Sequence, residues 1–402
     1  MIKVCVLGLG YVGLPVALGI SKKIDTIGFD ISKKRINGLK KNYDSNNEFK
    51  KSDFKKKKIV FTDNPEDLKN INFYIISVPT PTKKNNTPDL SFISKSISIV
   101  SKYLKPNDII VLESTVFPGV TEMFARNLEK KTKLINNKDF YMCYSPERIN
   151  PGDNSKKLND INKIFAIETT QKNILKKIKS IYKFISKNLI FSKNIKEAET
   201  AKAIENTQRD LNIALFNEIL ILSNKLNLNF NEIVRLASSK WNFIKFLPGL
   251  VGGHCLPVDP YYLSYIASKN KFKTRTLLAG RETNNFMKIF VENIVLNKIK
   301  SLKFIKKDKI LLVGMSYKYG VNDLRNSLNI EIFKKIKKKH KNTFIYDPFI
   351  NFKNSKIKIN KPDMYKLIIF LSKGKLYSDL FKKIKKNKKI NILDPFYYYS
   401  EI

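Results

Sequence analysis

Strand-like and helical runs alternate along most of this chain. The alternation predicts an α/β protein with two Rossmann-like doubly wound domains joined by a central helical block that contains one long helix. Three observations carry the prediction. A short β-rich run, Lys3–Leu7, ends in Gly8-x-Gly10-x-x-Gly13 and opens an apolar helical segment. From Ile195 to about Asn227 the chain holds neither proline nor glycine and takes up a helical period. From Ile310 the strand and helix alternation resumes.

The first domain is placed at 1–194. Lys3–Leu7 and the helical segment to about Lys22 precede a second strand, Thr26–Phe29, that closes on Asp30. Strands follow at Ile59–Thr62, Phe73–Val78, Ile109–Glu113, Tyr141–Tyr144 and Ile164–Ile167, with amphipathic or charged helical stretches between most of them. The central block, 195–300, begins with the long helix, on which Ile204, Leu211, Leu215 and Leu222 form one apolar stripe. A Gly/Pro-rich loop, Leu247 to Pro260, separates it from a second helical region ending near Lys300. The last domain, 301–402, has strands at Ile310–Val313, Thr343–Tyr346, Leu367–Leu371 and Ile390–Leu393 and a helix at Ser327–Lys337.

Composition narrows the function classes. The 402 residues include 76 Lys+Arg against 35 Asp+Glu, a net charge of +41, yet only eight of the basic residues are arginine. Nucleic-acid readers favour arginine for bidentate contacts, whereas Lys334–Lys339 and Lys382–Lys389 are plain lysine runs in an Asn/Ile-rich background. The lysines are read as solvated filler and not as a nucleic-acid surface, so a retained arginine is the more informative residue. Hydrophobic residues at 43% and aromatics at 11% exclude a disordered chain. No apolar run reaches the ~20 residues of a bilayer span. Met1 to Ile20 carries phosphate-loop glycines and lacks a cleavage signature, so it is expected to be structure and not a signal peptide, in a soluble, cytoplasmic protein. Three cysteines without a C-x-x-C and only two histidines argue against a disulfide framework, a metal site and a Ser-His-Asp triad. Acid–base work falls to Lys, Asp, Glu or Cys.

Two segments suggest chemistry directly. Gly8, Gly10 and Gly13, with Asp30 placed 22 residues beyond Gly8, have the spacing of a dinucleotide site. There the backbone N–H groups meet a pyrophosphate, and the acid accepts from a ribose 2′-OH and repels a 2′-phosphate, which selects NAD. Arg35 is either an adenine or phosphate contact or a surface helix residue. In the loop Gly249 to Pro260, Cys255 stands just ahead of a helix expected to start at Asp259-Pro260, which favours thiolate. Cys255 is read as a nucleophile, and Cys5 and Cys143, inside strands, as small core residues. Lys202, Asn206 and Arg209 share one face of the long helix, opposite the apolar stripe.

The chain resembles the UDP-glucose/GDP-mannose dehydrogenase family, and within it the branch acting on UDP-N-acetylhexosamines. The residues that carry the likeness are Gly8–Pro15, Val78–Thr82, Glu113–Gly119, Tyr144–Gly152, Ala198–Glu218, Lys240–Phe243, Pro248–Leu263 and Lys318 through Ser327. The likeness spans residues 1 to about 350. It implies a two-step, four-electron oxidation of the sugar C6 alcohol to a uronic acid, with NAD as acceptor and Cys255 carrying a thiohemiacetal and then a thioester. Lys202 and Asn206 are implied to stabilise the oxyanion, and Asp259, Thr115 and Glu147 to serve water and proton transfer. Which of Lys202, Glu147 and Asp259 is the first base stays open. For the cofactor the likeness implies Gly8, Gly10, Tyr11, Val12, Gly13, Asp30, Arg35, Thr80, Thr115 and Arg325. For the UDP-sugar it implies Arg148, Ile149, Lys202, Asn206, Arg209, Gly252 and Lys318. It also implies a homodimer formed through the central block, and a product used in surface polysaccharide synthesis. UDP-N-acetyl-D-glucosamine is the favoured substrate, its galacto epimer and UDP-glucose the alternatives. A single-step β-hydroxyacid dehydrogenase has no use for Cys255, and a nucleic-acid-binding protein is the remote reading.

Overall fold

The computed structural model describes residues 2–55, 57–148, 160–350 and 361–399. The chain divides into two units, Met1–Glu205 with Tyr261–Lys273, and Asn206–Pro260 with Thr274–Ile402.

The first unit is built on eight strands: β1 (Val4–Leu7), β2 (Thr26–Phe29), β3 (Ile59–Thr62), β4 (Phe73–Ile76), β5 (Ile109–Leu112), β6 (Tyr141–Tyr144), β7 (Lys163–Ala166) and β8 (Leu189–Ser192). Their order in the sheet is β3-β2-β1-β4-β5-β6-β7-β8. Helices α1 (Gly13–Ile20), α2 (Lys33–Lys40), α3 (Ser91–Val100), α4 (Val120–Thr132) and α5 (Lys172–Tyr182) connect them. Helices cover both faces, so strand residues alternate between two cores. Val4 and Val6 pack with Leu14, Leu18 and Ile36, whereas Cys5 and Leu7 pack with Ile93, Ile97 and Phe124. Burial on both sides is why these strands read as continuous apolar runs. The strand order reverses between β1 and β4, and a reversal of this kind opens a ligand crevice at the carboxyl ends of the two strands.

Helix α6 (Ile195–Lys225) is the long helix, followed by α7 (Phe230–Ala237), α8 (Asp259–Lys269) and α9 (Arg275–Ser301). In the second unit the strands β9 (Ile310–Val313), β10 (Thr343–Tyr346), β11 (Leu367–Phe370) and β12 (Asn391–Leu393) form a parallel sheet in the order β10-β9-β11-β12. Helices α10 (Leu328–Lys339) and α11 (Lys375–Ile384) complete it.

The fold class is the one the sequence predicts, with strand limits that agree to within a residue or two. Two features were not foreseen. Strand β8 lies at the sheet edge, where Ile190 and Phe191 are exposed although three of its four residues are apolar. Strand β7 meets β6 antiparallel, through the single pair Tyr144 and Ala166. The stripe on α6 also behaves unexpectedly: Ile204, Leu215 and Leu222 are about half exposed. The buried residues of the helix instead combine the small and polar Ala203, Thr207, Asp210, Ala214 and Asn217 with the hydrophobic Phe216 and Leu220.

Much of that polar face is paired internally. Arg281 Nη1 on α9 pairs with Asp210 Oδ1 at 2.6 Å, and Asn284 Nδ2 donates to the same oxygen at 2.8 Å. Asn217 Nδ2 donates to Asn284 Oδ1 (2.8 Å) and to the Gly249 carbonyl (3.0 Å), and its Oδ1 accepts from the Gly249 N–H at 2.8 Å. Burial pushes the Asp210 carboxyl up, and Arg281 and Asn284 only partly offset it. The network fixes where the Gly/Pro-rich loop leaves the helical block.

Candidate active site

In the first unit the three glycines answer three different demands. Gly8 has φ +91°, a conformation that L side chains rarely adopt. A Cβ on Gly13 would lie 1.8 Å from the Gly8 carbonyl oxygen and 2.3 Å from Ser77 Oγ, so this glycine lets α1 sit against the end of β4. A Cβ on Gly10 would meet nothing within 4 Å, and here the open side is where a pyrophosphate approaches the backbone. Tyr11 and Val12 complete the turn into α1. Asp30, at the end of β2, accepts from the N–H groups of Leu9 and Ser32, both at 2.9 Å. Its carboxylate is thereby fixed beside the glycine turn and stays partly exposed. Those features fit the adenosine ribose and pyrophosphate of NAD.

Arg35 is not a surface residue. Its Nε donates to the Leu9 carbonyl at 2.9 Å, and its Nη1 pairs with the buried Asp44 at 2.6 Å, which ties the glycine turn to the segment after α2. Its Nη2 is buried with no hydrogen-bond partner among the described residues. At the same crevice, Thr80 Oγ1 donates to the Thr115 carbonyl at 2.7 Å, and the hydroxyl of the buried Tyr262 donates to the Thr80 carbonyl.

Glu147, Arg148 and Lys202 also belong to the first unit. Glu147 Oε2 pairs with Lys163 Nζ at 2.9 Å. Arg148 reaches Glu205 Oε1 at 2.7 Å and the Asn162 carbonyl at 3.2 Å. Lys202 is only 8% exposed, and among the described residues it makes no ion pair and no hydrogen bond. An ammonium mostly withdrawn from water without a carboxylate is suited to meeting negative charge that arrives with a ligand or develops during reaction. Glu199, one turn earlier, accepts from Gly119 N–H (2.5 Å) and from Thr121 N–H (2.9 Å), which anchors α6 at the start of α4. Ile149 lies outside the described residues.

The remaining candidates lie in the second unit. Cys255 is exposed, whereas Cys5 and Cys143 are fully buried with thiols pushed up by desolvation. The Cys255 carbonyl accepts from Val258 and Asp259 N–H, both at 3.0 Å, which closes the turn that starts α8. Asp259 is 2% exposed and accepts from Asn206 Nδ2 at 2.6 Å, so two predicted catalytic side chains are joined directly. The loop is seated on the turn after β9. A Cβ on Gly252 would lie 2.6 Å from the Asn326 carbonyl oxygen, and one on Gly253 (φ +87°) 2.7 Å from the Tyr317 ring. Asp323 joins the two segments: Arg325 Nη2 pairs with it at 2.6 Å and His254 Nε2 at 3.5 Å. Burial alone would raise the Asp323 carboxyl, but His254 and Arg325 outweigh it and hold the group well below the usual range. Arg209 is exposed on α6.

Lys318 lines a cleft of about 180 Å³ with Tyr317, Asn329, Ser372 and Tyr398, at the carboxyl ends of β9 and β11, where the order of the second sheet reverses. This unit repeats the logic of the first in altered form. Gly314 (φ +84°) follows β9 as Gly8 follows β1. Asp347 follows β10 and accepts from Met315 and Ser316 N–H at 2.8 and 3.1 Å. Unlike Asp30, Asp347 is 1% exposed, and Ser316 and Tyr319 stand at the offsets of Gly10 and Gly13. The glycine pattern of the first unit's turn is therefore not repeated here.

Sequence reasoning missed Lys163, Asp347, Asp323 and the Asp210/Arg281/Asn217/Asn284 network. Arg281 alone carried a signal, as one of the eight arginines.

Three consecutive segments match the parts of one family: residues 2–186 its NAD binding domain, 196–286 its central domain and 311–396 its UDP binding domain. The chain belongs to the UDP-glucose/GDP-mannose dehydrogenase family. The family match continues past residue 350, where recognisable motifs fade. The chain is 42% identical to UDP-N-acetyl-D-glucosamine 6-dehydrogenase of Salmonella typhi over 87% of its length and 83% of that protein's. It is likewise 42% identical to protein CapL of Staphylococcus aureus, over 86% of this chain and 81% of that one. Among solved structures, UDP-D-ManNAc dehydrogenase from Pyrococcus horikoshii superposes with a TM-score of 0.87 at 29% identity, covering 100% of this chain and 97% of that one. The chain is thus an NAD-dependent nucleotide-sugar dehydrogenase, and Gly8–Gly13 with Asp30 are the residues here that fit NAD. Among the described residues no helix is long and apolar enough to cross a membrane.

Proposed function

We propose that the chain oxidises the C6 alcohol of a UDP-N-acetylhexosamine, UDP-N-acetyl-D-glucosamine first among them, to the uronic acid in two steps through Cys255. The observation that carries this reading is the exposed Cys255 at the turn into α8, with Asp259 held by Asn206 four residues on. NAD, when bound, would supply the hydride acceptor, one NAD for the alcohol and a second NAD for the Cys255 adduct. The Cys255 thiolate adds to the aldehyde carbon to give a thiohemiacetal, whose oxyanion Lys202 and Asn206 stabilise. After the second oxidation the group is a thioester. Water activated by Asp259, with Thr115 and Glu147 in the proton network, releases the carboxylate and restores the thiolate. Arg148, Ile149, Arg209, Gly252 and Lys318 hold the UDP-sugar, and Arg35, Thr80 and Arg325 support the cofactor.

The partition 1–194, 195–300 and 301–402 assigns these tasks to a cofactor domain, a helical dimerisation domain and a UDP-sugar domain. The half-exposed stripe of Ile204, Leu215 and Leu222 supports a homodimer formed through α6. A role in surface polysaccharide synthesis follows from the uronate product. The glucosamine substrate is supported by the Salmonella relative, and the Pyrococcus structure makes the mannosamine epimer the second reading. Turnover measured side by side with UDP-N-acetylglucosamine, its manno and galacto epimers and UDP-glucose tests the substrate. The highest kcat/KM is expected with the gluco sugar, and a manno preference above tenfold would reassign it.

A further inference from the structure

Of 68 lysines, only Lys202 and Lys163 are buried among the described residues. Burying an ammonium carries an effective penalty of roughly several kcal/mol unless carboxylates offset it. Lys163, the first residue of β7, is 3% exposed and lies between two carboxylates, Glu113 Oε2 at 3.2 Å and Glu147 Oε2 at 2.9 Å. Glu113 follows β5 and is held on its other oxygen by the hydroxyl of Tyr182, the last residue of α5, at 2.8 Å. Glu147 follows β6, and its Oε1 accepts from the Arg148 N–H at 2.6 Å. Four elements of one unit thus converge on a single ammonium, and Glu147 is the more exposed of the two carboxylates, at 8% against 1% for Glu113.

We propose that Lys163 is a positioning residue for Glu147: its buried ammonium holds the Glu147 carboxylate in one orientation, while Glu113 competes for the same ammonium and sets how strongly it acts. The proposal rests on the dehydrogenase reading, in which Glu147 belongs to the proton network. Charge supports it. With both carboxylates ionised the cluster would carry one net negative charge in a site nearly without water. Burial pushes the Glu113 carboxyl up, with Glu147 adding to the rise, and the opposing Lys163 and Tyr182 do not cancel it. Lys163 itself is raised by the two carboxylates in spite of its burial. Lys163 therefore stays charged between two carboxylates that share it. Cys143 and Ser145 face Tyr182, and Glu205 on α6 faces Arg148. A purely structural ion pair would not need a second carboxylate competing for its cation.

The test is the pH dependence of kcat/KM with UDP-N-acetylglucosamine and NAD, for the full chain and its Lys163→Met, Lys163→Arg and Glu113→Gln variants. Lys163→Met is expected to move the acidic limb up by about 1 unit or more, the size of an opposite charge at this distance. It should also lower kcat at neutral pH at least tenfold, with the KM for NAD unchanged. Lys163→Arg should restore the limb, and Glu113→Gln should move it down. A limb that stays in place, or moves the same way in Lys163→Met and Glu113→Gln, overturns the proposal. If Lys163→Met does not fold, the direction in Glu113→Gln decides alone. The same shifts are read without substrate from the carboxyl ¹³C resonance of Glu147, assigned by its loss in Glu147→Gln. An inactive wild type that shows these opposite shifts would end the dehydrogenase reading and keep the assignment of Lys163.

Discussion

Gly10 and Gly13 look alike in the motif, yet the structure gives them opposite tolerances. An alanine at 13 must displace the Gly8 carbonyl and Ser77 Oγ, which places it among overpacked substitutions costing about 1–3 kcal/mol. An alanine at 10 meets no protein atom and should change stability by less than about 0.5 kcal/mol. Both should weaken NAD, for different reasons. Thermal unfolding alongside NAD titration separates them: Gly13→Ala lowers Tm and affinity together, whereas Gly10→Ala lowers affinity at an unchanged Tm. Residue-scale placement was legible where a residue's immediate neighbours decide it. Cys255 was readable as an exposed loop residue because it sits among glycines, and Cys5 and Cys143 were readable as core because they sit inside strands. Lys163 was hidden because it looks like any of the other lysines, and only the fold reveals that it points inward.

At the scale of elements, period and composition predicted α6 but misjudged which face it buries. Hydrophobic periodicity assumes that the apolar side goes inward, and here Asp210, Asn217, Arg281 and Asn284 pair with one another on the buried side. Partners 67 to 74 residues apart have no local signature in a single sequence. Strand β8 escaped although Leu189, Ile190 and Phe191 are apolar, and it lies at the sheet edge. The network makes a sharp prediction. Asp210→Ala leaves the buried Arg281 guanidinium without its carboxylate and should cost about 3–5 kcal/mol, read as a lower denaturation midpoint. Asn217→Ala should be milder for stability and harsher for kcat, because Asn217 holds both the N–H and the carbonyl of Gly249 where the cysteine loop begins. Equal effects of the two variants on stability and turnover would contradict that division of labour.

For the molecule as a whole, the lysines read as solvated filler and the patterning read as an enzyme, and the family match bears out the enzyme. The charge of +41 remains a physical fact. Self-repulsion of this size is screened by salt, with a Debye length falling from about 30 Å at 0.01 M to about 8 Å at 0.15 M. Tm is therefore expected to rise over that range, and a fall would mean that attractive surface pairs dominate. The dimer reading has an equally direct test. Leu215→Asp with Leu222→Asp should halve the mass measured by light scattering if the α6 stripe is the subunit contact, and an unchanged dimer mass would place the contact elsewhere.

The central claim is that one site with Cys255 removes four electrons from each sugar. It is tested most directly by the NADH formed per UDP-N-acetylglucosamine consumed, for wild type and Cys255→Ser in parallel. The account predicts two NADH per sugar in wild type and near-complete loss of uronate formation in the variant. One NADH per sugar, with turnover little changed by the substitution, would contradict it.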